Sequence, residues 1–317
     1  MKIKVVDLFA GCGGLSLGFI QAGFDVVAAF DNWEPTLTIY RQNFNHDSIA
    51  LDLSKDDAHK KIKEYKPDMI VGGPPCQDFS SAGKRNEELG RADLTISFAK
   101  TIEKIKPKFF LMENVGRITK SKKLKEAIEI FKKSGYGLSY DVLDASYCDV
   151  PQARKRFILF GELKGEDHVL EHYFSKNKSV KPMTIRDYFG SSLGVENYYR
   201  HPRNYSRRAV YSIDEPSPTI RGVNRPIPKG YKGHKNDTSP LNEKVRPLTT
   251  EERAWVQTFP KNFKWEGKKT HLEQIIGNAV PVNLAKFVAS CISEYIEDKK
   301  NGKVIVYEKT AQLSLVF

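Results

Sequence analysis

The sequence predicts an α/β protein, a doubly wound and mostly parallel sheet joined to a second, smaller irregular domain. Three observations predict it. Short apolar strands alternate with helical runs up to about residue 163, a glycine-rich turn follows the first strand, and beyond 163 the pattern gives way to polar stretches rich in Tyr, Pro and Arg. Continuous apolar strands in such an alternation belong to a sheet covered on both faces.

Residues 2–7 (KIKVVD) alternate toward a short buried strand. DLFAGCGGLSLGFIQAG then turns through glycines into an apolar helix closed by Gly23. DVVAAFD (25–31) is the next strand, and an amphipathic helix over about 34–44 leads to the short run LDLS (51–54). Further strands are expected at 68–73, 108–114, 139–145 and 156–162, separated by helices near 94–106 and 121–134. After 163, phrases such as DEPSPT and NRPIPKGYKG cannot sit inside helices. Helical patterning returns at 249–259 and at 282–298, whose apolar positions fit one buried face. The expected division is therefore residues 1–163 plus 271–317 as one domain and 164–270 as the other.

The chain has 317 residues, 40% hydrophobic and 28% charged, with a mean hydropathy of -0.49, as in soluble globular proteins. No run approaches the roughly 18 apolar residues that span a bilayer, and no signal peptide is expected. Cys12, Cys76, Cys148 and Cys291 lie far apart without a C-x-x-C pair, so neither a disulfide framework nor a metal site is suggested. A reducing cytoplasm fits best. The net charge of +12 points to a polyanionic partner. Residues 196–246 hold eleven Lys or Arg against five Asp or Glu, which concentrates half of that excess in the irregular domain.

Ligands of an open α/β sheet sit at the carboxyl ends of its strands, and a glycine turn into a helix lets backbone approach a cofactor. DLFAGCGG is placed for this, and Asp31 ends the second strand, where a carboxylate can bind both ribose hydroxyls of an adenosine group. The strict dinucleotide pattern is not met, because Ser16 occupies the third glycine place. A turn of this kind also occurs simply as a tight turn. GGPPCQDFS (72–80) is sharper: two prolines stiffen the loop before Cys76 at a strand end, where a rigid thiol has little packing purpose. Cys148 and Cys291 read as small buried hydrophobes. Glu113 and Asn114 end another strand at the same edge, and Arg154 and Arg156, two positions apart, are expected on one face.

With these motifs in family order, together with the LDL turn, RPLTTEERAWVQTFP and GNAVPV, the chain resembles the cytosine-5 DNA methyltransferases of bacterial restriction-modification systems over nearly its whole length. The resemblance implies a Rossmann-like catalytic domain that uses S-adenosylmethionine, releases S-adenosylhomocysteine, and works with a target-recognition domain. It implies cofactor contacts from Phe9, Gly11, Gly13, Leu15, Asp31, Asp52, Pro74 and Asn278. Cys76 becomes the nucleophile, Glu113 the group holding ring nitrogen 3, and Asn114 a support of that loop. Arg154 and Arg156 contact the base carbonyl and its surroundings. Pro75, Gln77, Ser80, Lys84 and Arg91 belong to the substrate loop, with 80–93 a lid over a flipped base. Thr219 and Arg221 in PSPTIRG contact DNA. The expected partners are double-stranded DNA and a cognate restriction endonuclease, with the enzyme itself acting as a monomer, without metal or membrane. The rivals are a tRNA cytosine-5 methyltransferase, whose Cys-Phe-Thr tripeptide is absent, a noncatalytic DNA-binding relative, and a nicotinamide-dependent oxidoreductase, which leaves the PPCQ loop without a role.

Overall fold

The computed structural model describes residues 2–75, 93–204 and 206–303. β1 (Lys4–Leu8) runs into α1 (Gly14–Gln21), followed by β2 (Asp25–Asp31), α2 (Glu34–Asn43), β3 (Asp47–Ala50), α3 (Ala58–Lys63) and β4 (Met69–Gly72). α4 (Asp93–Ile105), β5 (Phe109–Val115), α5 (Lys122–Lys133) and β6 (Tyr136–Asp144) continue the alternation. The chain leaves the sheet for β7 (Gln152–Ala153) and rejoins it in β8 (Lys155–Leu163).

The seven-stranded sheet has the order β3-β2-β1-β4-β5-β8-β6. β1, β2, β3, β4 and β5 pair in parallel, while β8 runs antiparallel to β5. Strand order reverses between β1 and β4, the place where doubly wound sheets open a crevice for ligands. The core explains the apolar strands: Val6, Leu8, Phe30, Ile70, Phe110 and Met112 are all at most 1% exposed. α5 buries Leu124, Ala127 and Phe131, and Ser121 caps it by accepting the Lys123 N–H.

Two compact units emerge. One comprises the described residues of Met1–Leu143, Lys155–Lys178 and Ala285–Phe317; the other comprises Asp144–Arg154 and the described residues of Ser179–Leu284. The expected division differs in assigning 144–154 and 271–284 to the first domain and 164–178 to the second. The first unit includes α6 (Glu171–Asn177). The second holds α7 (Ile185–Phe189) and a sheet of β9 (Asn197–Tyr199), β10 (Val210–Ser212) and, further on, β12 (Arg246–Pro247). Between the last two, β11 (Ser217–Pro218) pairs in parallel with β7. α8 (Thr250–Val256) and α9 (Lys269–Asn278) follow, α8 opening on a capping box in which Thr249 and Glu252 exchange bonds. α10 (Val282–Lys300) closes the described chain. The stretch 269–300 is long and apolar enough for a membrane span by composition, but it breaks at 279–281 and 61% of its most apolar window is buried.

Candidate active site

Strand register places residues distant in sequence on one edge. Leu8 pairs with Phe30 on one side and Gly72 on the other, and Gly72 pairs with Met112. One step further along each strand lie Phe9, Asp31, Gly73 and Glu113, so four candidates form a row at the carboxyl edge of the sheet. Asp31 itself pairs with Ala50, two residues before Asp52.

The glycine turn is built from left-handed backbone. Phe9 has φ 57°, Gly11 56° and Gly13 90°. Such a φ is strained for an aromatic residue and marks a conformation imposed by its surroundings. Around Gly11 a Cβ would meet nothing within 4 Å, so the backbone there is open to a ligand. At Gly13 a Cβ would stand 2.4 Å from the Phe44 ring, so packing demands glycine there. Asp31 braces the turn: one carboxylate oxygen accepts the Gly11 N–H and the other the Trp33 N–H, both at 2.9 Å. Leu15 is buried in the first turn of α1, which leaves its backbone as the part able to meet a cofactor. Asp52 is exposed, and the Ser54 hydroxyl and N–H donating to it hold its carboxyl below the usual range.

A buried network beneath this turn escaped sequence reasoning. Asp7 in β1 is fully buried and accepts the Ser16 hydroxyl at 2.6 Å; Ser16 in turn accepts the Tyr40 hydroxyl at 2.7 Å. Burial pushes the Asp7 carboxyl up to about 7 against the opposing bond from Ser16. Ser16 in the third glycine place, nine residues after an acid in an apolar strand, was the available signal.

Where β4 ends, Gly72 is required by the backbone against it, and Gly73 lies close against Glu113. A Cβ on Gly72 would be 2.6 Å from the Leu8 carbonyl, and one on Gly73 would be 3.1 Å from Glu113 Oε2. Glu113 is 7% exposed and pairs with Arg156, Nε to Oε1 2.8 Å. Asn114 Nδ2 donates to the carbonyl of buried Pro74 at 3.1 Å, which ties β5 to the start of the PPC loop. Pro75 is half-buried. Cys76, Gln77, Ser80, Lys84 and Arg91, and with them residues 80–92 of the expected lid, lie outside the described residues.

Arg154 and Arg156 do not share a strand face as their spacing predicted, because β7 ends at Ala153 and β8 starts at Lys155. In between, the Arg154 N–H donates to Asp144 and its carbonyl accepts from Ala145. Arg156 pairs with Glu113 in the first unit. Arg154, in the second unit, is 1% exposed, and its Nη atoms donate to the carbonyls of Ile220 (3.1 Å), Gly277 (3.1 Å) and Ala279 (2.9 Å). Thr219 donates to the Ala153 carbonyl at 2.8 Å, Arg221 donates to the His201 carbonyl, and Asn278 is exposed at the end of α9.

A doubly wound sheet with a glycine turn at its first strand and an acid at the end of its second is the architecture of an α/β domain that binds an adenosine-bearing ligand at its strand ends. The C-5 cytosine-specific DNA methylase family model matches residues 3–294, and the chain belongs to that family. Family membership brings S-adenosylmethionine as methyl donor and DNA as substrate. The type II methyltransferase M.HindV of Haemophilus influenzae is 60% identical over 295 residues, covering 92% of this chain and 97% of that one. M.HgiDI of Herpetosiphon aurantiacus, also a type II methyltransferase, is 52% identical over 94% of this chain and 96% of its own. In fold, the chain resembles the S. pombe Dnmt2 methyltransferase (TM-score 0.69, 19% identity, 94% of this chain and 99% of that one). It also resembles the Entamoeba histolytica methyltransferase EhMeth (TM-score 0.65, 19% identity, 95% and 99%).

Proposed function

We propose that this enzyme methylates carbon 5 of a cytosine flipped out of a specific duplex sequence, with Cys76 as covalent nucleophile, and that it protects DNA from a cognate endonuclease. The observation that carries this reading is the row of Asp31, Phe9, Gly73 and Glu113 at one sheet edge, with the PPC loop leaving from its middle. The two type II relatives supply the restriction-modification context. The enzyme works as a cytoplasmic monomer, and the second unit, with the basic stretch 196–246, reads the target.

The residues fit the cofactor: open left-handed backbone at Gly11 admits it, Phe9 meets the adenine, and Asp31 offers its remaining lone pairs to the ribose hydroxyls. Leu15 backbone, Asp52, Pro74 and Asn278 complete this set. S-adenosylmethionine supplies an electrophilic methyl group. The Cys76 thiolate adds to carbon 6 of cytosine, which moves electron density to carbon 5 and makes that carbon the nucleophile. Glu113, held by Arg156, takes up a proton and shares it with ring nitrogen 3, while the Arg156 guanidinium meets the charge developing toward the carbonyl oxygen. After methyl transfer the carbon 5 proton leaves and the thiolate is eliminated. Asn114 keeps Pro74, two positions before Cys76 in sequence, in register with Glu113, and Pro75, Gln77 and Ser80 are further substrate contacts. Lys84 and Arg91 follow in sequence and contact the DNA.

The test incubates wild type and Cys76→Ser with labelled S-adenosylmethionine and mixed DNA and tRNA, followed by bisulfite sequencing. Cysteine-dependent methylation of cytosine in a recurring DNA context is expected; label confined to tRNA, or label independent of Cys76, overturns the reading.

A further inference from the structure

The segment PSPTIRG is held by an unusual set of donors. Three successive carbonyls each accept a guanidinium N–H from a different arginine: Thr219 from Arg200 at 2.8 Å, Ile220 from Arg154 at 3.1 Å, and Arg221 from Arg253. The Ile220 N–H donates to Gln152 at 2.9 Å. Behind it, Gly277 lies so close that a Cβ there would be 2.2 Å from the Gly222 nitrogen. The clasp is reciprocal, since Arg221 donates to the His201 carbonyl on the segment that carries Arg200. Backbone pinned in this way cannot rearrange at little cost, so the side chains it displays are preorganised.

Together with the segment that carries Arg200, it gathers concentrated positive charge. Half-buried Arg200 and Arg221 line one pocket with Tyr198, His201, Val223 and Asn224. Exposed Arg203 lies within electrostatic range of both, and Arg225 within range of His201. Nearby acids are engaged elsewhere, Glu273 with Arg253 and Glu215 with Arg208. Among the described residues neither Arg200 nor Arg221 has a carboxylate partner. Burial, followed by the neighbouring Arg200 and Arg203 guanidiniums, pulls Arg221 down to about 10. Arg200 is likewise lowered, chiefly by burial. A neutral base edge would accept hydrogen bonds and leave this charge uncompensated, whereas a phosphodiester accepts the same bonds and neutralises it.

We propose that Arg200 and Arg221, supported by Arg203, form a seat for one DNA backbone phosphate, so that this pocket positions the duplex and does not read a base. The proposal rests on the DNA-methyltransferase reading above and deepens it.

Duplex affinity is measured against KCl concentration for wild type, Arg200→Gln, Arg221→Gln and Arg203→Gln, on a duplex carrying the methylated context and on one lacking it. Methylation at saturating DNA is followed in parallel. Loss of the phosphate contact should weaken both duplexes by the same factor and lower the log K against log salt slope, by at most about 0.9 in any variant, the share of a single phosphate. The methylated context should stay the same, because a phosphate contact carries no sequence information. Loss confined to one duplex, or methylation of a new context, overturns the proposal in favour of base reading; unchanged affinity and slope overturn it in favour of a purely internal role. Arg203 is exposed and bonds no pinned carbonyl in the set above, so Arg203→Gln decides alone should the other two variants melt early. Wild type that binds duplex with this salt dependence but methylates no DNA cytosine would overturn the functional reading and leave the seat standing.

Discussion

Arg154→Gln separates a residue that holds the fold from one that touches substrate. The guanidinium makes three N–H···O bonds at 2.9 to 3.1 Å to carbonyls from two segments, 220 and 277–279, at 1% exposure. A hydrogen bond involving a charged group contributes about 1.5–3 kcal/mol, and an unpaired buried carbonyl costs a comparable amount. Glutamine can keep at most one of the three, so two are lost and the second unit should be destabilised by about 3–6 kcal/mol. Against a total stability of about 5–15 kcal/mol this is severe. Urea unfolding followed by tryptophan fluorescence should show the loss, because Trp255 and Trp265 both lie in that unit. Arg154→Lys should recover only part, since an ammonium lacks the planar fork that spans both segments. The reasoning is refuted if Arg154→Gln unfolds at the wild-type urea concentration yet loses turnover a hundredfold, which would place Arg154 at the base.

Other outcomes follow from the first unit. Gly13→Ala meets both a left-handed φ of 90° and the Phe44 ring, so it should lower the melting temperature and raise the KM for S-adenosylmethionine well beyond twofold; unchanged values of both would show that the turn relaxes freely. Asp31→Ala removes the acceptor for the Gly11 and Trp33 N–H groups, and should weaken cofactor binding at least tenfold in calorimetry while DNA affinity holds. Asp7 keeps its proton to about 7 when folded and only to 3.8 in the reference state, so between those values the folded chain binds more protons. Its contribution to stability therefore falls as pH rises from about 4 to about 7, by up to about 4 kcal/mol, and is level above. Subtracting Asp7→Asn melting curves from wild type across that window should show this decline; a flat difference would refute it.

The first unit was largely legible because its strands are continuous apolar runs and its helices carry caps or one apolar face. β2 and α2 fall within one residue of the expected spans, and β4, β5 and β8 likewise. α3 and α9 were not anticipated. The second unit offered little: its strands are two or three residues long, too short for periodicity to register, and its order rests on long-range bonds such as Gln152 to Gln257 at 2.7 Å.

Local chemistry written in the chain determined the kinds of residue available: a glycine turn, an acid after the second strand, Pro-Pro-Cys, Glu-Asn and paired arginines. Tertiary structure decided which of them meet. Strand register set Asp31, Phe9, Gly73 and Glu113 in one row, and the break between β7 and β8 sent Arg156 to Glu113 while burying Arg154 among carbonyls of distant segments. Pairing of this sort depends on which strand lies beside which and in what register. Those are properties of the packed sheet, set by long-range burial, and no local pattern of residues encodes them.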